Sequence, residues 1–392
     1  MSSPLSNSDT AKPQDCGELG RLRERLFEPV DIASIAVFRM MFGLAIFWAV
    51  WNQFEQGWIR THYIDPTFYF KYFGFEWIDP WLGDGMYIHF AVIGACALCV
   101  IAGLFYRITS WLLFLGIGYW FLLDQTQYLN HLYLVVLVAF LMAVIPAHRA
   151  VSLDLLWRPK LRSDTIPAWC LWLLRMQVGI VYFYGGIAKL NGDWLQGEPV
   201  RMWLHVRSHY AVIGPWIDTE MAVWFISYGG AAFDLAVVPA LLWRKTRPWA
   251  FAACLGFHVV NASLFNIGIF PVFMLAGTLL MFPPDWPRKV SLFFKAQREE
   301  PGVDTPPSSD SVGRRRLTEV FLVVYVAIQL GVPFRHFLYP GSVHWTDEGH
   351  SFAWHMMLRQ KNTGVRFYAM DPSNGEVWMI DHTEYLTPIQ IE

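Results

Sequence analysis

The chain has 392 residues, 55 % of them apolar and 17 % aromatic, with a mean hydropathy of +0.32 and only 16 % charged. That composition excludes a disordered chain, and the long uncharged runs point to a polytopic membrane protein. The net charge of −2 says nothing about partners; the distribution of charge between loops says more.

Residues 1–30 read as a polar cytoplasmic tail without the apolar core of a cleavable signal. The first membrane helix is expected over 31–51, with Asp31 as N-cap and Arg39 turned to protein rather than lipid. An aromatic loop, 52–85, is expected at the interface. Helices follow at 86–105, 108–124, 131–147, 168–189, 221–243, 248–265, 267–282 and 317–334. A second polar and aromatic loop covers 190–220, and 295–316 reads as a charged, Pro/Ser-rich flexible linker. In the tail, VRFYAM and EVWMI flank DPSNG, the pattern of a β-hairpin expected to pack back on the helices.

The expected fold is thus an all-α polytopic membrane protein of about nine transmembrane helices with a small β-containing tail. Its divisions are 1–30, a membrane domain over 31–334 that includes the linker, and an outer tail over 335–392. With the N-terminus inside, the inner segments hold 19 basic residues and the outer loops 4. That bias places the tail at the outer face. Cys96-x-x-Cys99 lies in an apolar run, where buried small side chains are the reading, and Cys16 lies in the polar tail.

The stretch around which the chain is organised is RMQVGIVYFYGGIAKLNGDWLQGE, 175–198. Tyr182, Gly185, Gly186 and Lys189 fall at i, i+3, i+4 and i+7, on one helical face thinned by two glycines. Lys189 has two readings: a lysine that snorkels to the headgroups, or a base among aromatic rings that takes a proton from a phenol or hydroquinone. At the same depth lie Asn130, His131, His258, Asn261, Tyr128, Tyr184 and Phe270. Polar groups at membrane depth usually line a site. No P-loop, nucleotide fingerprint, metalloprotease motif or transporter repeat is visible, and His344, His350 and His355 fit no standard metal spacing.

Several long stretches carry a family resemblance. DIASIAVFRMMFG (31–43), GLFYRITS (103–110), LLDQTQYLNHLYL (122–134), QVGIVYFYGGIAKLNGDWLQG (177–197), FHVVNASLFNIGIFPVFMLA (257–276) and PPDWPRK (283–289) occur in order, with a weaker HSFAWHMML at 350–358. The chain resembles the vitamin K-dependent γ-glutamyl carboxylases, within the horizontally transferred transmembrane (HTTM) domain proteins. The resemblance implies a carbon–carbon lyase. In it, Lys189 deprotonates vitamin K hydroquinone (or menaquinol), which reacts with O2 to give a strong base and finally the epoxide. That base takes a γ-proton from a peptide glutamate, and CO2 adds to give γ-carboxyglutamate. It implies His131 at the glutamyl carbanion and a quinone pocket lined by Asn130, Tyr182, Phe270, Met274, Met356 and Met357. His258 and Asn261 are added from their position in the outer half of their helix.

Partners are then a Glu-containing protein or peptide, a quinone and membrane lipid, with no nucleic acid. Two positions depart from the animal members: Ala188 stands where they carry a second lysine, and His355 where they carry an acid. The animal members also have a long outer domain, so a short bacterial form is expected. The alternative is a non-carboxylating quinone- or client-binding membrane module. Arg39, Arg175 and Asp234 read as structural, for example in buried ion pairs.

Overall fold

In a computed structural model of the protein, residues 18–210, 214–264, 267–291, 312–356, 358 and 364–391 are described. Each of the nine apolar stretches lies on a helix. In chain order these are α1 (Glu18–Phe27), which the sequence reading left as tail, then α2 (Ala33–Glu55), α3 (Gly85–Ala102), α4 (Tyr106–Leu122) and α5 (Asn130–Val144). They continue with α6 (Ala168–Ala188), α7 (Glu220–Leu242), α8 (Arg247–Leu264), α9 (Phe270–Thr278) and α10 (Val312–Gly331).

These helices differ in length and apolarity. Five are long and apolar enough to cross a membrane: α2, α3, α6, α7 and the stretch Gly313–Leu338 that begins in α10. α5 and Phe270–Met281 are apolar but shorter. At 1.5 Å per residue a 15-residue helix reaches only about 22 Å, short of a hydrocarbon core of about 30 Å. The expected linker over 295–316 also needs correction: 295–311 fall outside the described residues, and 312–316 already belong to α10. Cys16 likewise falls outside them.

Helix α6 is central: α1, α5, α7, α9 and α10 all pack on it. One continuous apolar core joins α2 through α10. Large apolar side chains also face outward, among them Ile88, Leu115, Phe225 and Val323, as expected of helices whose outer surface meets lipid. Arg39 is fully buried, but its partners are carbonyls rather than an acid. Its guanidinium donates to Ala147 O (2.9 Å), Ala150 O (3.3 Å), Ile101 O (3.3 Å) and Val151 O. Arg175 likewise donates to Leu280 O (2.7 Å) and Phe282 O (2.9 Å).

Two small sheets complete the fold. β1 (Pro29–Asp31) pairs antiparallel with β2 (Thr165–Pro167), joining the N-terminal ends of α2 and α6. Asp31 accepts from Ala33 N (2.8 Å) and also pairs with Arg288 (2.7 Å), so it ties the start of α2 to the segment after α9. The tail hairpin is present: β3 (Phe367–Met370) pairs with β4 (Val377–Ile380), with Phe367 opposite Ile380. Its strands are largely exposed, whereas Ala353, Trp354, His355 and Leu358 before it are buried. Cys96, Cys99, Cys170 and Cys254 are free thiols.

Candidate active site

Lys189 caps the end of α6 because Leu190 and Asn191 break the helical run. Asn191 then caps a new turn by accepting from Trp194 N (3.0 Å). That turn brings the Trp194 ring beneath the amine, 5.3 Å from Nζ, and Trp194 Nε1 is held by Ser227 O at 2.8 Å. The side chain is turned into the protein: Lys189 is 8 % exposed. Its Nζ donates to Asp234 Oδ2 at 2.6 Å and to Gly185 O at 3.3 Å.

Asp234 comes from α7, which can approach because α6 carries glycines. A Cβ on Gly186 would lie 2.8 Å from Leu235 Cγ, and one on Gly185 would lie 3.6 Å from Asp234 Oδ2 and 3.3 Å from Met356 Cε. Asp234 is thus the partner of Lys189, a pairing that sequence reasoning missed. An acid inside a span needs a counter-charge, which was the available signal, but nothing in the sequence named the lysine.

Next on the same helical face, the Tyr182 hydroxyl and His258 Nε2 of α8 share a 2.8 Å hydrogen bond. His258 is 1 % exposed, and its Nδ1 has no hydrogen-bond partner among the described residues. Phe270, at the start of α9, lies between two imidazoles, with ring centroids 6.3 Å from His258 and 6.0 Å from His131. His131 is half-buried at the start of α5. Met274 is buried in the core one turn beyond Phe270, and Asn261 is half-buried on α8.

The C-terminal tail packs against this wall. The Tyr128 hydroxyl donates to Asn130 Oδ1 (2.9 Å) and accepts from Phe352 N (2.7 Å), while Asn130 Nδ2 donates to His355 O (3.0 Å). Burial pushes the Tyr128 phenol well above its ordinary pKa, so it stays a donor. Met356, just after His355, reaches Gly185. Met357 lies outside the described residues. The rings of His336, His344 and His350 gather about His355 at 4.9, 5.6 and 5.9 Å. Among the described residues no three His, Cys, Asp or Glu side chains are arranged to hold a metal ion.

The architecture is that of a helical membrane protein whose buried lysine–carboxylate pair lies near the C-terminal tail. Residues 27–286 match the HTTM domain, and residues 314–392 match the lumenal domain of vitamin K-dependent gamma-carboxylase. The chain belongs to the HTTM-domain family, and its C-terminal segment carries the lumenal-domain match of the vitamin K-dependent gamma-carboxylases. No solved structure matches it. The family implies a vitamin K cofactor and a Glu-containing substrate. The residues fit a quinol in one respect: its hydroxyl both donates and accepts, which suits the orphaned Nδ1 of His258 beside the Phe270 ring.

Proposed function

We propose that the protein is a vitamin K hydroquinone-dependent γ-glutamyl carboxylase of the membrane. The observation that carries this reading is the buried Lys189 amine, paired with Asp234 and adjoining Met356 of the lumenal-domain segment. Bound hydroquinone (vitamin K or menaquinol), on oxidation by O2 to the epoxide, supplies the base that removes a γ-proton from peptide glutamate, so that CO2 adds to the carbanion.

Lys189 takes the hydroquinone hydroxyl proton, a step within reach of an amine held in a dry site. His131 faces the glutamyl group and manages the carbanion or its carboxylation. Asn130, Tyr182, His258 and Asn261 supply polar contacts to the quinol, with Phe270, Met274, Met356 and Met357 as its apolar walls. Buried Trp354 and the Phe352 ring beneath the tail keep water out, which protects both strong base and carbanion from stray protons. A lipid-soluble quinol enters from the bilayer and a peptide from the outer face, so the site belongs at that interface. The N-terminus is then cytoplasmic, and 335–392 form the outer tail over the membrane domain.

The test is epoxide and carboxylated peptide, measured together in two variants. Lys189→Ala loses both products; normal epoxide from it would refute the base assignment. His131→Ala loses carboxylation more than epoxide, whereas equal loss in a folded variant counts against a separate role.

A further inference from the structure

We infer that Asp234 is the terminal acceptor of the hydroquinone proton, which it takes through Lys189. This deepens the reading of Lys189 as the base and rests on it. Lys189 can act as a base only when its amine has given up a proton, and the groups around Nζ include an acceptor for it. One N–H points at Oδ2 at 2.6 Å, another at Gly185 O at 3.3 Å, and the aromatic face of Trp194 lies 5.3 Å away. Release of the proton to water is disfavoured, since Lys189 and Asp234 are only 8 % and 5 % exposed. The acceptor already in contact is Oδ2.

The proton balance is as follows. The N–H that faces Asp234 breaks first: its proton forms an O–H on Oδ2, and its electron pair stays on Nζ as the lone pair of a neutral amine. The hydroquinone O–H then breaks, and its proton forms a new N–H on that lone pair. Lys189 ends as it began, an ammonium, the carboxylate becomes a carboxylic acid, and the hydroquinone becomes its anion beside that ammonium. Asp234 does not touch the quinol; it acts through Lys189.

Two observations separate this role from a merely structural pair. A buried structural carboxylate is usually held by several donors, yet Lys189 is the one hydrogen-bond donor to Asp234 among the described residues. Next, at Gly185 the pair is covered only by the flexible end of Met356: a Cβ there would stand 3.3 Å from Met356 Cε, 3.6 Å from Oδ2 and 4.0 Å from Nζ, so a rotation of that side chain uncovers the pair. The other titratable groups of this wall are Tyr182 on α6 and Cys254 and His258 on α8. Tyr182 and His258 are already bonded to each other, and none of the three carries the negative charge that holds the ammonium.

The experiment is an infrared difference spectrum of the full chain in detergent on anaerobic addition of vitamin K hydroquinone, with epoxide formation followed separately against pH. The wild type is expected to gain a carboxylic-acid band that Asp234→Asn and Lys189→Ala lack. Asp234→Asn is expected to make epoxide about 100-fold more slowly near neutral pH and to recover as pH rises, because Lys189 must then lose its proton to solvent. Asp234→Glu, which keeps the carboxylate, recovers most of the rate without that pH dependence. No band in wild type with hydroquinone bound, or a wild-type rate and pH profile in Asp234→Asn, would overturn the relay while leaving the lysine as base. Epoxide from Lys189→Ala would instead overturn the base reading on which the relay rests.

Discussion

Asn130 Nδ2 donates to His355 O across 3.0 Å, joining the first residue of α5 to the outer tail 225 residues later. His131 is the next residue on one side of this bond and Met356 the next on the other. The bond therefore fixes both sides of the candidate site at once, and the Tyr128 hydroxyl, bonded to Asn130 and to Phe352 N, supports it.

Removing the Tyr128 hydroxyl should loosen this clasp. Tyr128→Phe leaves the Phe352 N–H without its acceptor and Asn130 Oδ1 without its donor. A loss of about 1–3 kcal/mol in stability follows for such orphaned groups, together with faster proteolysis within 350–366. Thermal unfolding and limited proteolysis measure the two effects; an unchanged cleavage rate would mean that the tail is held elsewhere.

The paired glycines should respond differently to alanine. At Gly186 the new Cβ meets Leu235 Cγ and Cδ2 at 2.8 Å and Asp234 Cβ at 3.2 Å, so α7 must shift. Overpacking of that kind costs about 1–3 kcal/mol. At Gly185 the nearest atom is the flexible end of Met356, at 3.3 Å, so the fold should tolerate Gly185→Ala while quinol affinity falls. Melting temperatures and quinol binding in the reverse order would contradict the site placement.

Arg39 serves the fold. Its guanidinium answers four carbonyls at the inner end of α2, and neither Leu nor Lys reproduces that fork. Both variants should lose more than about 2 kcal/mol of stability, while the activity per folded molecule stays unchanged. A fall in activity without a fall in stability would give Arg39 a role that its contacts do not show.

His148, in the inner connector, is buried against Tyr106 with ring centroids 5.1 Å apart. Burial, followed by repulsion from Arg107, lowers its pKa to about 4 from an ordinary 6.5. Its folded pKa is depressed, so its full stability is present above pH 6.5. As pH falls toward 4 the unfolded chain binds a proton that the folded chain refuses, and at most about 3 kcal/mol is lost. His148→Phe should flatten this part of the stability curve between pH 6.5 and 4. A parallel curve for the variant would assign the acid sensitivity to other groups.

The helices were legible because each is a long apolar run, and the hairpin because DPSNG separates two β-rich strands. Lys189, Tyr182 and the glycines were legible as one face by spacing alone. The pairing of Lys189 with Asp234, 45 residues away, was not, nor was that of Tyr182 with His258, 76 residues away; sequence spacing carries no register between helices. The β1–β2 pairing was missed because three residues on each side are too few to show an alternation. α1 was hidden by its charge, since a short polar helix ahead of a membrane domain reads like a tail. The number of spans is less legible than the helices themselves, because apolarity alone does not fix helix length.

The most direct test is fixation of labelled CO2 into a short Glu peptide by the purified protein in detergent, with vitamin K hydroquinone and O2, beside Lys189→Ala. The carboxylase reading predicts label in the wild-type reaction and none in the variant. Neither label nor epoxide from folded wild-type protein would contradict it and leave a membrane module that binds quinone or client without carboxylating.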